Sequence, residues 1–186
     1  DRPADERPAA VMLSFGDASR HARRVVDASL PLLLQVQRVE ELGRAVELGA
    51  RVVIVQGGEA GGHGMQSMLA RGTFTLVPEA ADWLAAHAPN IMLLAAGGVA
   101  DGRTLAAARV LGADGALVGS RLWATRESLA AEGAKQLAAS TPGDGTARSA
   151  VFDILRRKDW PAPYDFRAIR NDLHRRWEDR IDELDR

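Results

Sequence analysis

Five short aliphatic runs, at residues 11–15, 32–36, 52–55, 91–95 and 115–118, recur along the chain, and each is followed by a stretch of helical character. Few folds accept that order. A strand that joins a parallel neighbour needs a crossover, and the crossover is usually a helix. The third run, Val52-Val53-Ile54-Val55, is β-branched throughout, as suits a strand covered on both faces. Helices are predicted over 18–29, 39–48, 78–88 and 102–111, with another starting near Leu122. Gly49 and Gly112 stand where a helix stops, Asp101 where one is capped, and Pro78 at an expected first turn. The expected fold class is therefore α/β, built from about five βα units around a parallel sheet.

Bulk properties narrow the rest. The chain has 186 residues, 46% of them hydrophobic, enough for one domain over 1–186 with a sizeable core. Its net charge of −1 gives no electrostatic case for nucleic acid or an anionic membrane. No apolar run approaches the roughly 20 residues of a membrane helix, and no secretory leader is expected. Cysteine is absent, which excludes disulfides, thiolate nucleophiles and cysteine-ligated metals. A cytoplasmic location is the default expectation. Residues 1–10 read as an irregular lead-in and 140–147 as a loop. The stretch 148–186, which holds Trp160, Tyr164, Phe166 and Trp177, is expected to form a C-terminal helical extension packed on the rim or exterior.

In parallel α/β proteins, ligands gather where strands end and lead into helices. Three such loops are glycine-rich. The first, residues 56–64, sets five glycines around Glu59 and His63. Glycine lets backbone N–H groups approach a ligand, and histidine moves protons near neutral pH. A solvated flexible loop is the bland alternative, and a functional one is the favoured reading. The second loop contains Gly97-Gly98 and the third Gly119-Ser120. Either alone is ordinary turn chemistry. Together, in successive βα loops, they suit a phosphate held from two sides.

Other chemistry lacks its motifs. No P-loop, dinucleotide fingerprint or nucleophile elbow occurs, and His21, His63, His87 and His174 lack metal-ligand spacing. The basic groups at 156–158 and 175–176 read as solvated helix faces. Trp160 and Trp177 read as packing anchors.

Three segments, residues 56–64, 95–102 and 112–121, resemble in order and separation the signature segments of the nitronate monooxygenases, also called 2-nitropropane dioxygenases. Residues 11–16 are similar to that family's fourth strand, which ends in Phe-Gly. The match runs from about 8 to 130, and 148–180 resembles bacterial members more loosely. The resemblance implies a (β/α)8 TIM barrel that binds FMN non-covalently. Gln56, Gly61 and Gly62 would then contact the flavin, while Gly97, Gly98, Gly119 and Ser120 would hold its phosphate, with Leu117 and Val118 in the same segment. His63 matches the family's catalytic base, which takes the proton α to a nitro group. The implied partners are O2 and a nitronate or nitroalkane, with homodimer formation left open.

Two departures stand out. Gly119-Ser120-Arg121-Leu122 replaces the family's Gly-Thr-Arg-Phe, and serine keeps the hydroxyl and backbone donor. The family's early strands also have no counterpart, so the chain is expected to be strands four to eight of a longer barrel and, purified alone, to bind FMN poorly. An open arc leaves two sheet edges. The rival expectations are an FMN- and NAD(P)H-dependent enoyl-acyl-carrier-protein reductase, which shares a similar Glu-Ala-Gly-Gly-His segment, and an inactive truncated fragment that keeps the phosphate loops.

Overall fold

A computed structural model of the protein describes residues 6–184; residues 1–5 of the expected lead-in lie outside the described residues. The five predicted strands form within a residue or so of their expected limits: β1 (Val11–Ser14), β2 (Leu32–Val36), β3 (Val52–Gln56), β5 (Met92–Ala96) and β6 (Gly115–Leu117). They make one parallel sheet in the order β1-β2-β3-β5-β6, so sequence order and spatial order agree. A doubly wound sheet reverses its strand order midway, with helices on both faces. This sheet never reverses. It is an arc of the barrel type.

The helices that connect these strands are α1 (Ser19–Asp27), α2 (Leu42–Glu47, entered through a 3-10 turn at Val39–Glu41), α3 (Thr73–His87) and α4 (Gly102–Val110). Leu32, Leu34, Val36, Val53 and Val55 pack with Leu42, Leu76, Val77 and Leu84 in one buried core. Each such side chain, fully buried, contributes about 1.5–3 kcal/mol relative to exposure. On the opposite face of the sheet, Val52, Ile54 and Ala96 form a second, smaller cluster with Leu33 and Leu94.

Helix ends follow the expected chemistry. Asp101 Oδ1 accepts the Thr104 amide at 3.0 Å, and Gly49 and Gly112 take positive φ just past their helices. One start differs. α3 begins at Thr73 rather than near 78, so Pro78 lies inside it. The missing capping signal is remote in sequence: both Glu59 oxygens accept the Thr73 amide, at 3.0 and 2.9 Å. Glu59 of the glycine-rich loop is thus a helix cap.

The C-terminal stretch departs most from expectation. Helices do form there, at α7 (Val151–Leu155), α8 (Asp172–Trp177) and α9 (Ile181–Leu184), after α5 (Ser120–Trp123) and α6 (Glu132–Ser140). Two strands were not anticipated, β7 (Thr146–Ser149) and β8 (Tyr164–Ile169). They combine with a third, β4 (Gly62–Met65), cut from the glycine-rich loop itself, in an antiparallel sheet ordered β4-β8-β7. The extension is therefore mixed rather than helical, and it pairs with the loop that carries His63. No helix among the described residues is long and apolar enough to cross a membrane.

Candidate active site

The three glycine-rich loops meet at the carboxyl ends of β3, β5 and β6. Gly57 donates its amide to Ala96 O at 2.9 Å, and Ala60 turns back to Gly57 O at 3.1 Å. Gly97, at φ +97°, lies under this turn: a β-carbon there would stand 3.0 Å from both Ala60 N and Gly57 O. A β-carbon on Gly61 would stand 2.5 Å from Ser120 Oγ. The first loop therefore touches both of the others, against backbone at Gly97 and against a rotatable hydroxyl at Gly61. Gly98 has φ +74° and borders the Glu59 side chain, whereas Gly119 faces open space.

Gly61, Gly62, Gly119 and Ser120 line a cleft of about 1530 Å³, with Phe152 and Phe166 also in its wall. That exceeds the roughly 300–1,000 Å³ of a typical ligand pocket. Gln56, His63, Gly97, Gly98, Leu117 and Val118 are not in that wall. Leu117 ends β6 partly exposed, and Val118 follows it half-buried. Gln56 ties the site to the sheet: its Nε2 donates to His63 O at 3.1 Å, and its Oε1 accepts from Gln37 Nε2 at 3.2 Å.

His63 sits in β4, directly opposite Phe166 of β8. Its ring stacks on Trp160, with centroids 3.5 Å apart and planes 14° from parallel, and meets the edge of Phe166 at 4.8 Å. Its Nε2 lies 2.9 and 3.1 Å from the two carboxylate oxygens of Asp153, a buried residue of α7. Phe15, held at φ 63° just past β1, packs its ring against Trp160 and Tyr164 at 5.2 and 5.1 Å. A bulky residue in that backbone region is strained, and such strain gathers at functional sites.

Two guanidinium groups that also line the cleft hold the loop in place. Arg148 of β7 donates to Ala60 O at 2.7 Å, Gly62 O at 3.3 Å and Asp165 O at 2.6 Å. Arg167 of β8 donates to Gly58 O at 3.1 and 3.3 Å. Burial, helped by the neighbouring Arg167 and opposed by Asp165, brings Arg148 down to about 10. It remains charged at neutral pH. Burial also holds the Asp165 carboxyl above its usual value.

Asp153, Arg148, Arg167 and Phe166 carry no site signal of their own in the sequence, yet they gather around the loop that holds His63. One structural signal is present. Residues 164–169 alternate apolar Tyr164, Phe166 and Ala168 with charged Asp165 and Arg167, the period of a half-buried strand. That alternation identifies β8, and with it the element that faces His63.

Fold and site together define an arc of a (β/α) barrel whose ligand end is built from glycine-rich βα loops. More specifically, the chain belongs to the nitronate monooxygenase family, whose model, described as "Nitronate monooxygenase", matches residues 1–183. It is 40% identical over 150 residues to the nitronate monooxygenase npaC of Metarhizium robertsii, covering 76% of this chain and 40% of that one. Among solved structures it is similar to a nitroalkane oxidase from Streptomyces ansochromogenes, with TM-score 0.75 and 27% identity over 92% of this chain and 48% of the other. FabK from Thermotoga maritima gives TM-score 0.77 and 25% identity over 93% and 51%. The chain spans about two fifths of the length of the curated relatives it matches.

Proposed function

We propose that the protein of which this site is part oxidises alkyl nitronates with O2 to a carbonyl compound and nitrite, using bound FMN. The observation that carries this reading is the convergence of three glycine-rich loops, one of them holding a paired histidine, in a chain of this family.

The residues present fit a flavin phosphate. Gly97, Gly98, Gly119 and Ser120 offer backbone amides and a hydroxyl where the second and third loops end, and β-carbons at Gly61 or Gly97 would fill or distort the cradle. Gln56, Gly61 and Gly62 lie on the side proposed for the ring, with Leu117 and Val118 closing the strand beneath. Arg148 and Arg167 add positive potential beside the loop, which favours both a phosphate ester and an anionic nitronate. The flavin, when bound, supplies the redox chemistry. The chain supplies binding, orientation and proton transfer.

For a neutral nitroalkane, His63 removes the proton α to the nitro group. The C–H bond breaks, an N–H bond forms on the imidazole, and the electron pair moves into the nitro group to give the nitronate. A preformed nitronate skips that step. His63→Asn is therefore expected to reduce turnover of neutral nitroalkanes at least about 100-fold more than turnover of preformed nitronates, the lower end of general-base effects. Equal loss on both substrates counts against His63 as the base. NAD(P)H-dependent reduction of an enoyl thioester, without nitronate turnover, overturns the assignment as a whole.

A further inference from the structure

Asp153 has no place in the family-derived site, yet it is the residue that grips His63. We infer that Asp153 is a positioning residue, fixing His63 in the tautomer that carries its proton on Nε2 and leaves Nδ1 as the basic nitrogen. This inference rests on the reading of His63 as the base, but its structural half can be judged separately.

Geometry assigns the proton. The two Asp153 oxygens lie at 2.9 and 3.1 Å from one nitrogen, the pattern of a single N–H shared between two acceptors. A carboxylate has only lone pairs to offer, so Nε2 must donate. Neutral imidazole has one N–H, and Nδ1 is then bare. Nδ1 has no hydrogen-bond partner among the described residues, nor is it one of the sealed unpaired atoms. The side chain keeps 17% of its surface open, while that of Asp153 keeps 7%. The anchored nitrogen is therefore the one turned to the carboxylate, and the reachable one is free.

The surroundings leave the ring little freedom. Trp160 covers one face, Phe166 meets it edge-on, and Gln56 holds the His63 carbonyl. The helix that carries Asp153 is anchored at its start, where Ser149 Oγ accepts the Val151 amide at 3.1 Å, and the Asp153 side chain is buried. When Nδ1 takes a proton from a nitroalkane carbon, the imidazolium lies against the Asp153 carboxylate. An orienting carboxylate of this type selects the tautomer and stabilises the cation without accepting the proton itself. A nitronate, already deprotonated, draws on neither effect.

The test starts with the unmodified protein. Imidazole 15N resonances of the purified, 15N-histidine-labelled protein, assigned by difference against His63→Asn, should show neutral His63 with a protonated Nε2 and a bare Nδ1. A neutral His63 ring with its single proton on Nδ1 overturns the inference whatever the variants do. Asp153→Asn presents an N–H₂ group to Nε2 and should move the resonances toward the other tautomer. It should also lower kcat on nitroethane about 100-fold or more, while kcat on ethyl nitronate stays within about threefold. Asp153→Glu should recover part of the loss on nitroethane. A loss equal on the two substrates, with the 15N pattern unchanged, shows a merely structural role and overturns the inference. If His63→Asn leaves nitroethane turnover intact, the base reading falls and the catalytic half of this inference falls with it. The 15N spectrum still judges the Asp153 pairing by itself.

Discussion

Arg148 reaches from β7 to the carbonyl of Ala60, 88 residues earlier in the chain, at 2.7 Å. The same guanidinium holds Gly62 O and Asp165 O. Three carbonyls lose a charged donor in Arg148→Ala. Hydrogen bonds to charged groups contribute about 1.5–3 kcal/mol each, but part of this site is open to water, so a total loss of about 2–3 kcal/mol is expected. Urea unfolding measures it, and Arg148→Lys, with one ammonium in place of a fork, should recover less than half.

Two glycines of the proposed phosphate cradle should respond unequally to alanine. At Gly97 the backbone is left-handed and the β-carbon meets backbone at 3.0 Å, so Gly97→Ala should destabilise the fold by about 1–3 kcal/mol. Gly119 has φ −109° and open space around it, so Gly119→Ala should shift thermal stability by no more than about 0.5 kcal/mol. Differential scanning calorimetry of the pair decides it.

Gly61→Ala separates stability from binding. Its β-carbon would displace the Ser120 hydroxyl, an exposed group that can rotate away, so the fold should lose little. In the proposed site, the flavin phosphate would lose a donor. FMN affinity, read by quenching of flavin fluorescence in protein that binds it, should fall about tenfold.

His174 should make the protein acid-sensitive. It is sealed against the Phe152 ring, and neither of its nitrogens has a partner among the described residues. Burial holds its imidazole below the usual 6.5, with Glu178 pulling upward and Arg170 downward. The unfolded chain binds a proton near 6.5 and the folded one does not, so this contribution is complete above 6.5 and drains away as pH falls below it. The urea midpoint should drop between about pH 7 and pH 5, and His174→Leu should flatten that decline. Asp165 acts in the other direction: burial raises its carboxyl, so its contribution is lost as pH rises through the folded value. It cannot produce the acid loss.

The parallel sheet was legible because its signal is local. A run such as 52–55 declares a doubly covered strand through side-chain type alone, and Gly49 and Gly112 end helices for reasons contained in one residue. The antiparallel sheet was hidden for opposite reasons. Gly62-His63-Gly64-Met65 has weak strand propensity and becomes a strand only because β8 lies beside it. The start of α3 was misplaced because its cap, Glu59, is 14 residues upstream. The partner of His63 was invisible for the same reason, since 90 residues separate it from Asp153 and no motif links them.

The paired guanidinium supports of the loop at 56–64 carry a lesson for engineering. The segment 56–64 looks like a portable cassette, a contiguous string that can be cut from one relative and pasted into another. Its shape, however, is written in two places: in its own glycines and in the arginines of β7 and β8. A transplant that moves the string without residues 146–169 should yield a chimaera with the right letters and a slack loop. The smallest heritable unit of this site is discontinuous, and recombination breakpoints between 65 and 146 should be those that relatives tolerate least.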